Sequence, residues 1–158
     1  MEIVRGEFAI STDPDRLQIK VIHRYLKEKA YWTSGRTVAM TEKTIQHSLC
    51  FGVYHQEHQI GFARVITDRT IFAYLCDVFI LDEYQGQGLG KWLTETILAF
   101  LDEEGVHWTM LATRDAHGLY ESYGGFQKLY LPEKWMGRVN PNLLRSSGQI
   151  NSVPGDGL

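Results

Sequence analysis

With 158 residues, 44% of them hydrophobic and 22% charged, the chain is sized for one domain with a real core, and its balance is that of a soluble protein. A formal net charge of −3 with no basic run argues against nucleic acid as the main partner. No apolar run reaches the roughly 20 residues that cross a membrane, the first residues carry no basic or apolar leader, and two cysteines make no disulfide framework, so the expected location is the cytoplasm.

The first expected element is a short strand over residues 8–11. Asp13 then caps a helix with Pro14 at its first position, and Ile19, Ile22, Tyr25 and Leu26 give that helix one apolar face. Tyr31, Trp32 and the residues up to Arg36 break the pattern and read as a loop. A second helix is expected over 41–49. Apolar runs at 51–54 and 60–67 flank His55-Gln56-Glu57-His58 and predict a hairpin. Asp68 and Arg69 turn the chain into a strand over 71–81. Alternation there puts Asp77 and Phe79 on one face and Cys76, Val78 and Ile80 on the other. Cys50 and Cys76 read as core residues of apolar strands.

A longer helix follows, because Leu89, Trp92, Leu93, Ile97, Phe100 and Leu101 recur at helical spacing until Glu104 and Gly105 stop it. Residues 108–113 predict a strand, 116–123 a short helix ended by Gly124 and Gly125, and 126–131 a last strand, with a short edge strand over 135–139. The Asn, Ser, Gly and Pro content of 140–158 reads as a loose tail, leaving one domain over 1–139. An antiparallel meander followed by a βαβ crossover predicts an α+β fold: a mixed, mostly antiparallel sheet with helices on both faces.

The stretch Tyr84-Gln85-Gly86-Gln87-Gly88-Leu89-Gly90-Lys91-Trp92 joins the apolar strand to the longer helix. Such a turn presents backbone N–H groups at the positive end of a helix, with no β-carbons to block close approach. That is the chemistry of a phosphate cradle. Two familiar cradles do not fit. A P-loop would need glycine at Gln85 and a hydroxyl at Trp92, and without that hydroxyl there is no Mg²⁺ ligand. A dinucleotide fingerprint starting at Gly86 meets Lys91 where its third glycine belongs, and the acids about 20 residues on, Glu103 and Glu104, still lie in the helix.

Gln85, Gly88 and Gly90 do fit Gln-x-x-Gly-x-Gly, which resembles the pyrophosphate-binding motif of the GNAT superfamily of acyl-CoA-dependent N-acyltransferases. The strand before it, the helix after it and the later Tyr-containing helix leading to Gly-Phe match that family's order. The resemblance covers residues 71–126 closely and the earlier part only by position. It implies a GNAT-like fold and acetyl transfer from acetyl-CoA to a primary amine, a small molecule or a peptide, in a ternary complex. It further implies that the amides of Gly86, Gln87, Gly88, Leu89, Gly90 and Lys91 hold the pyrophosphate, with Gln85 beside them. The backbone of Phe79 and Ile80 would pair with the pantetheine arm, and an N–H there could polarise the thioester carbonyl.

Ala116, Leu119 and Tyr120 resemble the family's Ala-x-x-Leu-Tyr, whose tyrosine serves as general acid. A phenol of pKa about 10 can protonate a thiolate whose acid has pKa about 8.5 if it is well placed. The family usually reads Tyr-x-x-x-Gly-Phe; here Gly124-Gly125-Phe126 makes the spacing one residue longer, and Tyr123 is the alternative acid. The asparagine common three residues before the alanine is Thr113. Asp77, a carboxylate in an apolar strand, is either a base for the amine proton or a structural acid bonded to Arg64 or backbone amides. His117, three residues before Tyr120, either borders the pocket or sits on the surface. Tyr31, Trp32 and Arg36 lie where relatives contact the acceptor; packing of that loop on the core is the other reading.

No Cys/His cluster suggests a metal site. Dimers are the commonest assembly, and the sequence leaves the oligomeric state open. Two other classes remain: a non-catalytic module that senses acyl-CoA, and a phosphate-binding protein of unrelated fold.

Overall fold

The connections from the first strand to the second, the third to the fourth and the fourth to the fifth are turns too short for anything but antiparallel return, whereas two helices intervene between the second and the third. The structure, a computed structural model, describes residues 1–29, 36–138 and 140. Two compact units divide the chain, Met1–Ala112 and Thr113–Leu158.

The first unit holds a six-stranded sheet in sequential order: β1 (Glu2–Arg5), β2 (Phe8–Ser11), β3 (Leu49–His55), β4 (His58–Thr67), β5 (Phe72–Ile80) and β6 (Trp108–Leu111). β1 to β5 pair antiparallel, whereas β6 runs parallel to β5. The parallel step needs a crossover, which α3 (Leu89–Glu103) supplies. α1 (Ile19–Lys29) and α2 (Val38–Gln46) sit between β2 and β3. The mixed, mostly antiparallel sheet is the one the sequence predicts.

Each sheet face has its own helix. Ile22 and Leu26 of α1 pack with Cys50, Phe62 and Phe79, and Tyr25 stacks on Phe79 with ring centroids 3.9 Å apart. Along β3 the next side chain, Phe51, points to the opposite face and meets Phe100 of α3 edge-on at 5.7 Å. Leu93, Ile97 and Leu101 of α3 are buried at helical spacing, each contributing about 1.5–3 kcal/mol.

Several expectations need correction. The sequence reading has no strand at Glu2–Arg5, because all four residues of this edge strand are exposed and show no alternation. The helix expected from Pro14 is a single 3-10 turn, Pro14–Arg16, capped by Asp13 Oδ1, which accepts from Asp15 N at 3.0 Å. Leu17 is extended and separates that turn from α1. α2 starts three residues before the expected 41, because Thr37 caps it with Oγ1 accepting from Met40 N at 3.2 Å.

In the second unit, α4 (His117–Gly124) is followed by irregular chain and a 3-10 turn, Pro132–Lys134. Neither the strand expected over 126–131 nor one over 135–138 forms. Leu131 takes a left-handed φ of 53° just before Pro132, a conformation no strand accommodates. Val139 and residues 141–158, nearly all of the expected tail, lie outside the described residues.

Candidate active site

The cradle is built by two glycines in the left-handed region, Gly86 at φ 75° and Gly88 at φ 78°, with Gly88 as N-cap of α3. That conformation costs other L-residues roughly 1–2 kcal/mol. The first helical amides have no earlier carbonyl to bond, and the first backbone bond of α3 runs from Trp92 N to Gly88 O at 3.0 Å. Among the described residues, the amides of Gln87, Gly88, Leu89 and Gly90 have no backbone acceptor. A β-carbon added at Gly86, Gly88 or Gly90 would meet nothing within 4 Å. Consecutive unpaired amides, a positive helix end and open approach together fit a pyrophosphate. Leu89 anchors the turn in the core, while Lys91 lies at the surface 3.8 Å from Glu95.

Gln85 works differently from its neighbours. Its Nε2 donates to Ile80 O at 2.9 Å, tying the loop back to the end of β5. Leu81 N reaches β4 at Ile60 O, 2.8 Å away. Peptide groups alternate along a strand, so those of Ile80 face the other edge. Beyond Leu75 that edge has no strand partner among the described residues, because β6 pairs only with Phe72 to Leu75. Phe79, in register with Phe62, presents its ring to α1.

A bulge breaks β5 just before this point. Phe62 pairs with Phe79 and Arg64 with Cys76, so Asp77 and Val78 together oppose one residue of β4. Asp77 takes a φ of 52° there. The extra residue corrects the predicted alternation: register now puts Cys76 on the same face as Phe79, with Arg64 and Phe62.

Asp77 Oδ2 accepts from Arg64 Nε at 2.7 Å and from Arg36 Nη1 at 3.0 Å, and Arg64 Nη1 donates to Ser48 Oγ at 3.1 Å. The carboxylate is 2% exposed, the Arg64 side chain 9% and that of Arg36 15%. Burial pushes the Asp77 carboxyl up, but Arg64 and Arg36 outweigh it and hold the group below the usual carboxylate range. The structure therefore brings together Asp77 and Arg36, residues the sequence assigns to different tasks. Tyr31 and Trp32 lie outside the described residues. Sequence reasoning missed Ser48, which carries no local signal of its own.

In the second unit, Tyr120 is buried and Phe126 meets it edge-on at 5.8 Å. Gly125, at φ 65°, absorbs the extra residue as the cap of α4, and the Tyr120 carbonyl accepts from Phe126 N at 3.2 Å. Burial, with Asp115 adding to it, pushes the Tyr120 phenol up to about 12. Tyr123 is 43% exposed and His117 is exposed. Thr113 Oγ1 accepts from Ala116 N at 3.0 Å and shapes the turn into α4.

A cleft of about 720 Å³ lies elsewhere in the first unit, with Leu17, Ile45, Ser48, Leu49 and Thr67 among its lining; no residue of the cradle borders it. Among the described residues, no group of three or more His, Cys, Asp or Glu side chains could hold a metal ion, and no helix is long and apolar enough to cross a membrane.

A strand, a turn of orphan amides and a helix follow in the order that the sequence resemblance implies, and comparison with known proteins shows the family. The family model for the acetyltransferase (GNAT) domain matches residues 46–127, more than half of the chain. A GNAT-family protein from Xanthomonas campestris pv. campestris, solved as a crystal structure, is 41% identical; it superposes with a TM-score of 0.80 over 89% of this chain and 98% of that one. This chain belongs to the GNAT acetyltransferase family. A Gibberella zeae protein bearing an acetyltransferase name is 33% identical over 59% of this chain, and the match spans only 63% of that relative's length. A GNAT acetyltransferase from Elizabethkingia anophelis, solved with acetyl-CoA bound, shares the fold at a TM-score of 0.58 and 11% identity, over 75% of this chain and 76% of that one.

Proposed function

We propose that the chain transfers an acetyl group from acetyl-CoA to a primary amine in a ternary complex, in the cytoplasm. The observation that carries this reading is the set of unpaired amides from Gln87 to Gly90 at the N-terminus of α3. When bound, acetyl-CoA supplies an activated thioester. The amides of Gly86 to Lys91 would hold its pyrophosphate. The Ile80 N–H, on the edge of β5 with no strand partner among the described residues, would bond its pantetheine arm, the Ile80 carbonyl being taken by Gln85. Holding donor and acceptor in line lowers the barrier by turning a bimolecular encounter into one within the complex.

Tyr120 donates the proton that the departing thiolate needs. Its raised pKa of about 12 keeps the phenol protonated throughout the working range. The transfer is uphill against a free thiol of pKa about 8.5, so it requires a thiolate desolvated in the site, whose own basicity burial raises. Asp77 is placed here as a positioning residue. A carboxylate stabilised by two guanidinium groups is a weak base, and its geometry holds Arg36. The amine then enters neutral and gives its proton to water.

The same two observations, a weakly acidic Tyr120 and an Asp77 engaged by arginines, favour the second reading: a module that binds acyl-CoA without turning it over. An acceptor screen that follows free thiol released from acetyl-CoA separates the two. Amine-dependent release is the expected result. Tight acetyl-CoA binding with no release above solvent hydrolysis across a broad amine panel would establish the sensor.

A further inference from the structure

The Asp77 cluster carries more positive charge than it needs for its own stability. Two guanidinium groups share one carboxylate oxygen, leaving a surplus of one positive charge at side chains that are 15% exposed or less. Burying such a surplus is costly unless something balances it. The nearby thiols do not, since burial pushes Cys50 up to about 12 and Cys76 up to about 11, leaving both neutral.

Donors remain as well. Each arginine has three nitrogens in a planar fork. Among the described residues, Arg36 uses only Nη1, on Asp77; Arg64 uses Nε on Asp77 and Nη1 on Ser48. Among the described residues, the sole fully buried side-chain polar atom lacking a partner is the Tyr54 hydroxyl. Arg36 Nε and Nη2 and Arg64 Nη2 have no hydrogen-bond partner among the described residues, and none of them is a fully buried orphan. Asp77 is three strand residues, about 10 Å, from Ile80, where Gln85 fastens the cradle loop. The surplus charge thus lies along the strand that leads away from the donor's phosphates.

We propose that Arg36 and Arg64 together bind an oxyanion on the acceptor, so that the amine acetylated by this protein also carries a carboxylate or a phosphate monoester. This rests on the acetyl-transfer reading. A planar fork with paired donors is the geometry that grips either oxyanion at two points. Asp77 is the positioning residue that aims the fork.

Two measurements on the full chain test this. In the first, acetyl-CoA turnover is followed with matched amines: α-amino acids against their amides, and phosphoethanolamine against ethanolamine. The charged member should show a kcat/KM at least tenfold higher in one of the two series, which also identifies the anion. R36Q should bring that ratio close to one; R36K, which keeps the charge but loses the fork, should leave it between. Equal or better turnover of the neutral members overturns the proposal, as does an unchanged ratio in a folded R36Q. The second measurement stands without turnover: acetate and inorganic phosphate are titrated separately while the arginine side-chain N–H resonances are recorded. The Arg36 Nε signal, assigned by its loss in R36K, should shift saturably with one of the two. No saturable shift with either overturns the proposal, even if no amine in the panel is acetylated. Failure of the acetyl-transfer reading shows separately, as no amine-dependent release of thiol from acetyl-CoA with charged and neutral amines alike.

Discussion

At the cradle the binding groups are backbone amides contributed by consecutive residues, Gln87 to Gly90. At the Asp77 cluster they are side chains gathered from α2's approach, the turn before β3, β4 and β5. The first needs only glycines that let the chain turn and a helix that begins on time. The second needs a β-bulge, a left-handed aspartate and two arginines 41 and 13 residues away in sequence. A backbone site tolerates change in its side chains until one fills the approach. A side-chain site fails when any one member is lost, because the others are left charged and buried.

The largest effect is expected at the cradle. Gly90 lies within α3 in open space and has no left-handed φ, so Gly90→Glu adds a bulky anion without backbone strain and improves helix propensity by up to about 1 kcal/mol. Acetyl-CoA-dependent turnover should be abolished while the melting temperature holds or rises. A substituted cradle that still supports turnover would mean that the phosphates sit elsewhere.

At the cluster the loss should appear first as stability. Asp77→Asn leaves two buried guanidinium groups facing a neutral amide, at a cost of about 3–5 kcal/mol in denaturant unfolding. The pH dependence has a definite sign. The Asp77 carboxyl is held below its unfolded value of about 3.9. Its contribution is therefore complete above that value and is lost as pH falls through the lower folded value. The gap between wild type and Asp77→Asn should narrow on acidification below about pH 4, and a gap that stays constant down to pH 2 would contradict the pairing.

How much of this could be read from the sequence follows the same division. Gln85, Gly86, Gly88 and Gly90 announce a turn before a helix because glycine's conformational freedom is a local property, and Leu89 to Leu101 announce the helix by period. The alternation along 71–81 misplaces Cys76 because one bulged residue reverses every side chain beyond it. No local signal marks Ser48 as a partner of Arg64, nor Arg36 as a partner of Asp77; those contacts exist only once the sheet is assembled. Gln85 was legible as a motif residue but not as the latch on Ile80. The strand expected over 126–131 is apolar enough, but Leu131 turns left-handed before Pro132.

Tyr120→Phe removes one hydroxyl and keeps the ring against Phe126. Loss of a general acid should lower kcat about 10²-fold, or about 2.7 kcal/mol, with acetyl-CoA affinity within a few-fold. Tyr123→Phe should be nearly silent in the same assay. The reverse pattern would make Tyr123 the acid.

A smaller effect than that of Tyr120→Phe is expected at Gln85, whose side chain latches the loop to Ile80. Gln85→Ala should cost about 1 kcal/mol of stability and weaken acetyl-CoA binding several-fold, leaving kcat near wild type. A collapse of kcat instead would place Gln85 at the reacting atoms.

Calorimetric titration of acetyl-CoA into wild type, Gly90→Glu and Asp77→Asn tests most directly the claim that the backbone turn, and not the arginine cluster, holds the donor. The account predicts saturable binding to wild type, affinity within about threefold in folded Asp77→Asn, and no measurable binding to folded Gly90→Glu. Binding retained by Gly90→Glu and lost in Asp77→Asn would contradict it.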